Sequence, residues 1–301
     1  MTAHDRRLSF GIKTSQMGLT YGEIQRVWRE ADQIPVFEHA WLWDHMVPLR
    51  GDITGAALEA WTLLAALAAQ TVRLRLGVIV TSNRLRPPAL LAKMAATVDV
   101  IAGGRLEFGI GAGGSRVAVA NPVVREFEAY GVPLVSPGEA VRDLAQSCSL
   151  IRQMWTRDEP FDFHGHSIHL KNAVCEPRPV QKPHPPILIG GAGDRVLRIV
   201  AEHADIWNYP GPPSAEFRRK DQVLAEHCAA IGRDPGEILR SMQTVVRCDD
   251  PQAPAATRAL LLEMIDAGVT HLVIAPVLAG RSPQWLADQI IEPVLEEAAQ
   301  R

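Results

Sequence analysis

The chain has 301 residues, 47% hydrophobic and 22% charged, and its 34 acidic and 31 basic side chains leave a formal net charge of −3. That balance excludes the basic footprint of a nucleic-acid-binding domain, no apolar run reaches membrane-spanning length, and the length suffices for a large core. Cys148, Cys175, Cys228 and Cys248 form no CxxC pair, so neither zinc nor a disulfide framework is indicated, and with no apolar leader in MTAHDRRLSFGIKT the expectation is a cytoplasmic protein with reduced thiols.

Strand-like and helix-like segments alternate along the chain. Leu8 to Lys13 predicts a first strand, and Tyr21 to Ile34 a helix with apolar positions Ile24, Val27, Trp28 and Ala31. Phe37 to Trp43 is a second strand ending at Asp44-His45, Gly55 to Gln70 a helix, and Arg73 to Val80 a third strand leading to Thr81-Ser82-Asn83. Pro88 starts a helix that the Gly103-Gly104 pair stops, and Arg105 to Ile110 is a fourth strand. From Gly111 to Pro137 the rhythm breaks into proline- and glycine-rich sequence, the mark of an active-site loop or lid. Glu139 to Trp155 resumes as a helix, Phe161 to Leu170 alternates like a small hairpin, and EPRPVQKPHPP connects onward, so the hairpin and connection occupy about 160–185.

Pro185 to Ala204, PPILIGGAGDRVLRIVAEHA, then reads as a buried strand, a glycine turn and a helix. Glycines at 190, 191 and 193 let a backbone approach a ligand closely, and the helix can aim its free N–H groups at a phosphate. Asp205 to Tyr209, Ile238 to Arg247 and His271 to Ala275 are three further strands, interleaved with helices at Ser214 to Ile231, Ala255 to Ala267 and Trp285 to Ala299. Eight strand-helix units are what a (β/α)8 TIM barrel requires, here a single α/β domain over 1–301 with an insertion after strand four (about 111–137) and a hairpin before strand five. A doubly wound open sheet is the alternative.

In a barrel, chemistry belongs at the C-terminal strand ends. Those ends are Thr14 to Gln16, Asp44-His45, Val80 to Asn83, Gly111 to Ser115, Gly190 to Asp194 and Asn208, with Arg247 and Pro276 less clearly so. They offer His45 as an acid/base candidate with a carboxylate beside it, and a phosphate turn. They offer no nucleophile-base pair and no metal cluster, so hard chemistry falls to an organic cofactor. Two patterns are decoys. Gly109 to Gly114 matches GxGxxG after a strand but leads into SRVAVANP rather than a clear helix, and of the hairpin histidines His164 and His166 share one face of a strand while His169 takes the other, with no Asp, Glu or Cys set nearby.

Taken in order, the segments WLWDH (Trp41 to His45), LAALAAQTVRLRLGVIVT (Leu64 to Thr81), RPPALLAKMAATVDVIAGGRLEFGIGAG (Arg86 to Gly113), PRPVQKPHPPILIGGAG (Pro177 to Gly193) and HADIWN (His203 to Asn208) resemble the luciferase-like flavin and deazaflavin oxidoreductases, which are (β/α)8 barrels. The resemblance implies a tricyclic cofactor in the barrel mouth, coenzyme F420 in the preferred reading and FMN in the alternative. It implies that Gly190, Gly191, Ala192 and Gly193, with Asp194 opening the helix, hold its phosphate. Ile79-Val80 would form a bulge behind the ring, built around a non-prolyl cis peptide, with Thr81, Asn83 and Gly111 completing the cofactor site. His45 would donate a proton or orient substrate, and Asp44 would lie beside it at the reactive face.

The activity implied is hydride transfer between a deazaflavin and a small organic substrate. The alternatives are an oxygen-using FMN monooxygenase fed by a partner reductase, or a cofactor-binding protein without turnover. The resemblance also implies a homodimer. Arg84, Arg86 and Arg195 are candidates to meet the anionic tail of F420. Sugar-phosphate dehydrogenases of the family carry a tryptophan and a glutamate where this chain has Leu49 and Gly114, which argues against that substrate.

Overall fold

The computed structural model describes residues 7–49, 51–113 and 122–301. In chain order its elements are β1 (Ser9–Lys13), α1 (Tyr21–Gln33), β2 (Phe37–Leu42), α2 (Ala60–Ala68), β3 (Arg75–Val78), β4 (Thr81–Ser82), α3 (Pro88–Ile101), β5 (Leu106–Gly111), α4 (Pro122–Ala129) and α5 (Pro137–Thr156). There follow β6 (Phe161–His164), β7 (His169–Ala173), β8 (Ile187–Gly190), α6 (Asp194–His203), β9 (Ile206–Tyr209), α7 (Ala215–Ala230), β10 (Leu239–Arg247), α8 (Ala253–Asp266), β11 (His271–Val277), α9 (Pro283–Leu286) and α10 (Glu292–Ala298).

Eight parallel strands run β1-β2-β3-β5-β8-β9-β10-β11 and close where β11 pairs with β1 and β3 with β5. This is the (β/α)8 barrel expected from the alternation of elements. Each strand is short and apolar on its outer face, where Phe10, Ile12, Phe108 and Ile189 meet the helix ring. Trp41, Ile79, Leu188, Ile206 and Val273 form a separate cluster.

The local chemistry explains the helix starts. Thr20 with Glu23, and Ser136 with Glu139, form reciprocal capping boxes, satisfying orphan amides at the first turns of α1 and α5. The barrel's N-terminal rim is tied by two arginines. Arg73 donates to the carbonyls of Asp32, Phe37 and Ile34, and Arg105 to those of Leu74, Ala68 and Thr71. That face is stapled for stability, which leaves the opposite end for a site.

Several elements differ from their sequence expectations. The helix expected over Gly55 to Gln70 begins only at Ala60, because Glu59 caps it by accepting the amides of Trp61 and Thr62. The third strand stops at Val78 and a bulge precedes β4; the Ile79–Val80 peptide there is cis. The insertion contains α4, whose proline at the first position and stop at Gly131 (φ +64°) are ordinary helix punctuation inside an otherwise irregular stretch. The closing helix is interrupted by a π-type segment, Ala287–Ile291, because Pro293 lacks the N–H that would continue the ladder. In the hairpin, His164 pairs directly with His169 across the strands instead of taking the opposite face, since the chain turns at Gly165 and the alternation does not run through. Among the described residues no helix is long and apolar enough to cross a membrane, and no group of three or more His, Cys, Asp or Glu side chains could hold a metal.

Inside the barrel, glycine is required where Trp41 lies across β3. A Cβ at Gly77 would sit 2.3 Å from the Glu107 carbonyl oxygen and 2.6 Å from the Trp41 ring, and the backbone atom cannot move aside. Gly77→Ala is expected to destabilise the fold by about 1–3 kcal/mol, read as a lower denaturant midpoint at unchanged slope. An unchanged midpoint would show that the barrel wall can relax there.

Candidate functional site

The C-terminal strand ends enclose a cleft of about 610 Å³, lined among others by Asp44, His45, Ile79, Val80, Gly111, Gly190, Gly191, Ala192 and Gly193. These nine sequence candidates come together. The other three stand outside the lining. Thr81 is fully buried, Asn83 is nearly so, and Asp194 is an exposed residue paired with Lys220 of α7 at 2.6 Å. Among the tail candidates, Arg84 is paired with Asp143. Arg86 is committed within the protein, and Arg195 is exposed at the start of α6. Leu49 does not line the cleft, and Gly114 with the rest of 114–121 lies outside the described residues.

Two glycines and a valine shape one wall. Val80, carried into the mouth by the bulge, fills a notch that side chains would occupy: a Cβ at Gly111 would come within 2.8 Å of one Val80 methyl and a Cβ at Gly190 within 2.9 Å of the other. Beyond Gly190, Gly191 adopts φ +137°, a conformation natural only to glycine, and its amide donates to the Asn208 carbonyl at 3.2 Å. Trp207 Nε1 donates to the Gly191 carbonyl at 2.7 Å, which fixes the turn on β9. Gly193 then caps α6 with no side-chain hydrogen bond. The Val196 amide turns back to the Gly193 carbonyl at 2.8 Å, while those of Asp194 and Arg195 have no side-chain cap, a cradle that fits a phosphate and a planar ring lying against Val80.

Asp44 is structural as well as cleft-lining. Its two oxygens take Arg86 Nη1 and Nη2, each at 2.9 Å, and one of them also accepts the Ser82 amide at 2.7 Å. Arg86 reaches Glu59 as well, so one guanidinium joins the end of β2, the residue before α2 and the stretch just past β4. Burial pushes the Asp44 carboxyl up from its ordinary value, against the pull of Arg86 and the Ser82 amide.

His45 has a partner that the sequence reading missed. Glu126 on α4 is 1% exposed, and its Oε2 lies 3.1 Å from His45 Nδ1 while its Oε1 accepts the Met46 amide at 2.5 Å. A carboxylate at Nδ1 favours the tautomer with its proton there and leaves Nε2 as the basic nitrogen. The amphipathic spacing of Val123, Glu126 and Phe127 was the available signal. Lys13, Trp43, Asn208 and Gln243 also line the cleft. Lys13 was missed by a single residue, because the end of β1 was read as beginning at Thr14.

A profile of the luciferase-like monooxygenase family matches residues 8–293. An uncharacterized protein of Mycobacterium tuberculosis is 33% identical over 162 residues, 54% of this chain and 51% of its own length. A phthiodiolone/phenolphthiodiolone dimycocerosates ketoreductase of a Mycobacterium species is 33% identical over 203 residues, 64% of this chain and 48% of its own length. The matches thus span about half the length of these curated relatives. Among solved structures, an F420-dependent secondary alcohol dehydrogenase holding an F420-acetone adduct superposes with a TM-score of 0.78 at 18% identity, covering 96% of this chain and 99% of that one. An EDTA monooxygenase of Chelativorans does so with a TM-score of 0.77 at 13% identity, covering 97% and 94%. At such identities the likeness is one of fold.

Breaking the central pair tests its structural role. Asp44→Asn leaves the buried Arg86 with the half-buried Glu59 as its one carboxylate and is expected to cost about 3 kcal/mol in chemical denaturation, with part recovered in Asp44→Asn/Arg86→Leu. A loss below about 1 kcal/mol would mean that the pair contributes no more than a surface bridge.

Proposed function

The chain belongs to the luciferase-like monooxygenase family, and we propose that within it this protein is an oxidoreductase that binds the deazaflavin coenzyme F420 and exchanges a hydride with a small organic substrate at a carbonyl, imine or activated alkene. The observation that carries this reading is the His45–Glu126 pair in the same cleft as the glycine cradle. The relative named as a ketoreductase and the fold shared with an F420-dependent alcohol dehydrogenase support the same class of chemistry.

In this reading the amides of Ala192 to Asp194 hold the cofactor phosphate, Val80 supports the ring from behind, and Gly111 and Gly190 leave room for that support. The reduced deazaflavin supplies a hydride when bound. The residues must then manage the accompanying proton. Glu126 would hold His45 through Nδ1, so that the imidazolium gives its Nε2 proton to the substrate oxygen or nitrogen in the reductive direction and the neutral ring takes a proton at Nε2 in the oxidative one. Phe127 on the same helix helps wall the cleft from water.

Titration of the purified protein with F420 and FMN, oxidised and reduced, tests the cofactor assignment. Preferential binding of the deazaflavin is the expected result, and preference for reduced FMN together with oxygen consumption would replace it with a monooxygenase. Gly191→Ala is expected to weaken cofactor binding about tenfold, because a side chain at that φ distorts the turn. His45→Gln is expected to keep cofactor affinity and lower turnover by about 10²- to 10⁴-fold. Full turnover in His45→Gln would remove the histidine from the proton step.

A further inference from the structure

The cleft has two chemically different halves. Around the ring of eight strands, β1 stands opposite β8. The half built from β3, β5 and β8 carries the bulge and the glycine turn and is nearly featureless in side-chain charge. The half built from β1, β2, β9 and β10 carries Lys13, Trp43, Asn208 and Gln243.

Lys13 is 7% exposed, and its ammonium lies 4.0 Å from the Trp43 ring centroid. It donates to Gln243 Oε1 at 2.5 Å. The Gln243 amide is turned that way because its Nε2 donates to Asn208 Oδ1 at 2.7 Å, while Asn208 Nδ2 donates to Ser241 Oγ at 3.0 Å. This chain of amides fixes the lysine in place, with neutral partners only among the described residues. An ammonium carries three donors, and one is used by Gln243.

No carboxylate among the described residues forms an ion pair with Lys13. The acidic groups around the mouth are committed elsewhere: Asp44 and Glu59 to Arg86, and Glu126 to His45 and the Met46 amide. A buried cation without a counter-charge is costly unless a ligand supplies one. Burial accordingly pulls the Lys13 ammonium down to about 7.

We propose that Lys13 is the anchor for a carboxylate on the substrate, so that the protein acts on organic acids whose reducible group lies beside the acid group. The proposal rests on the deazaflavin reading for the reaction, but anion binding at Lys13 does not require cofactor to be bound. The amide relay positions Nζ, the Trp43 ring covers one side, and the open donor side receives the anion. The ionisable neighbours in the cleft are Asp44, His45 and Glu126, each already paired, while His39, Glu107 and His271 form their own contacts elsewhere in the barrel. An anion stabilises the protonated lysine, so its affinity is full below pH 7 and falls about tenfold per pH unit above it as the proton must be taken up on binding.

The test uses the full chain with and without F420. The probes are 2-oxo-4-phenylbutanoate and cinnamate, each beside its primary amide, followed by calorimetry and by NMR of lysine labelled at the ε position. At pH 6 the carboxylates are expected to bind at least tenfold more tightly than the amides. The Lys13 signal should titrate near neutrality in the free protein and shift upward by about one pH unit with carboxylate bound, with or without cofactor. Lys13→Met should abolish the preference while leaving F420 affinity within twofold, and Lys13→Arg should restore part of it. The proposal is overturned if acids and amides bind alike, if no carboxylate moves the Lys13 signal at tens of millimolar, or if the preference survives Lys13→Met. A selective loss of reduced-cofactor binding in that variant would also overturn it, since the anion would then be the cofactor ring. Should Lys13→Met fail to fold, the wild-type NMR titration and the arginine variant decide the matter. Failure of F420 to bind while carboxylates still shift Lys13 would refute the cofactor assignment alone.

Discussion

One buried guanidinium holds the mouth of the barrel together. Arg86 takes both oxygens of Asp44 and reaches Glu59, and Asp44 also holds the Ser82 amide just beyond the bulge. Removing two charges from water is repaid only when geometry and further hydrogen bonds are complete, and here they are. The consequence reaches the site through chain continuity. His45 follows Asp44, Val80 precedes Ser82 by two residues, and Glu59 caps α2. The acid/base candidate, the ring support and a helix start are thus set by a single side chain.

Around that hub the cleft separates its tasks by charge. The glycine wall makes room for a flat ring and a phosphate without side chains of its own. His45 and Glu126 form a local pair suited to proton handling, contributed partly by the insertion. Among the described residues Lys13, across the mouth, has neutral partners only, which is an unusual position for a cation to keep unless something anionic visits it. Deeper in the barrel, His39 stacks on His271 at 4.0 Å and accepts from the Trp41 indole at 2.6 Å. Burial drives His39 well below its ordinary value, so it sits neutral as an acceptor, a structural arrangement separate from the cleft chemistry.

Much of the barrel was legible in local sequence because its signals are local. Ile187 to Ile189 ahead of the glycines, Pro88 opening α3 and the Gly103-Gly104 stop each carry their own stereochemistry. The resemblance to luciferase-like proteins added the bulge at Ile79-Val80, which residue patterns alone did not indicate. What escaped was set by long-range contact or by crowding of signals. Glu126 is separated from His45 by 81 residues, and the proline- and glycine-rich surroundings of α4 concealed a helix of eight residues. Arg86 read as a candidate for the anionic tail of F420 because nothing nearby in sequence reveals that Asp44 and Glu59 converge on it. Lys13 was taken as the last residue of a strand rather than the first of a site, a one-residue ambiguity inherent in reading strand ends.

The central claim is that the glycine turn and the bulge together form a cofactor site with His45 at its reactive side. A crystal structure of the protein with oxidised F420 tests it most directly. The phosphate is expected among the amides of Ala192 to Asp194, the ring against Val80, and His45 Nε2 facing the ring with Glu126 still on Nδ1. A phosphate bound elsewhere, or a ring that leaves Val80 and His45 uncontacted, would contradict it.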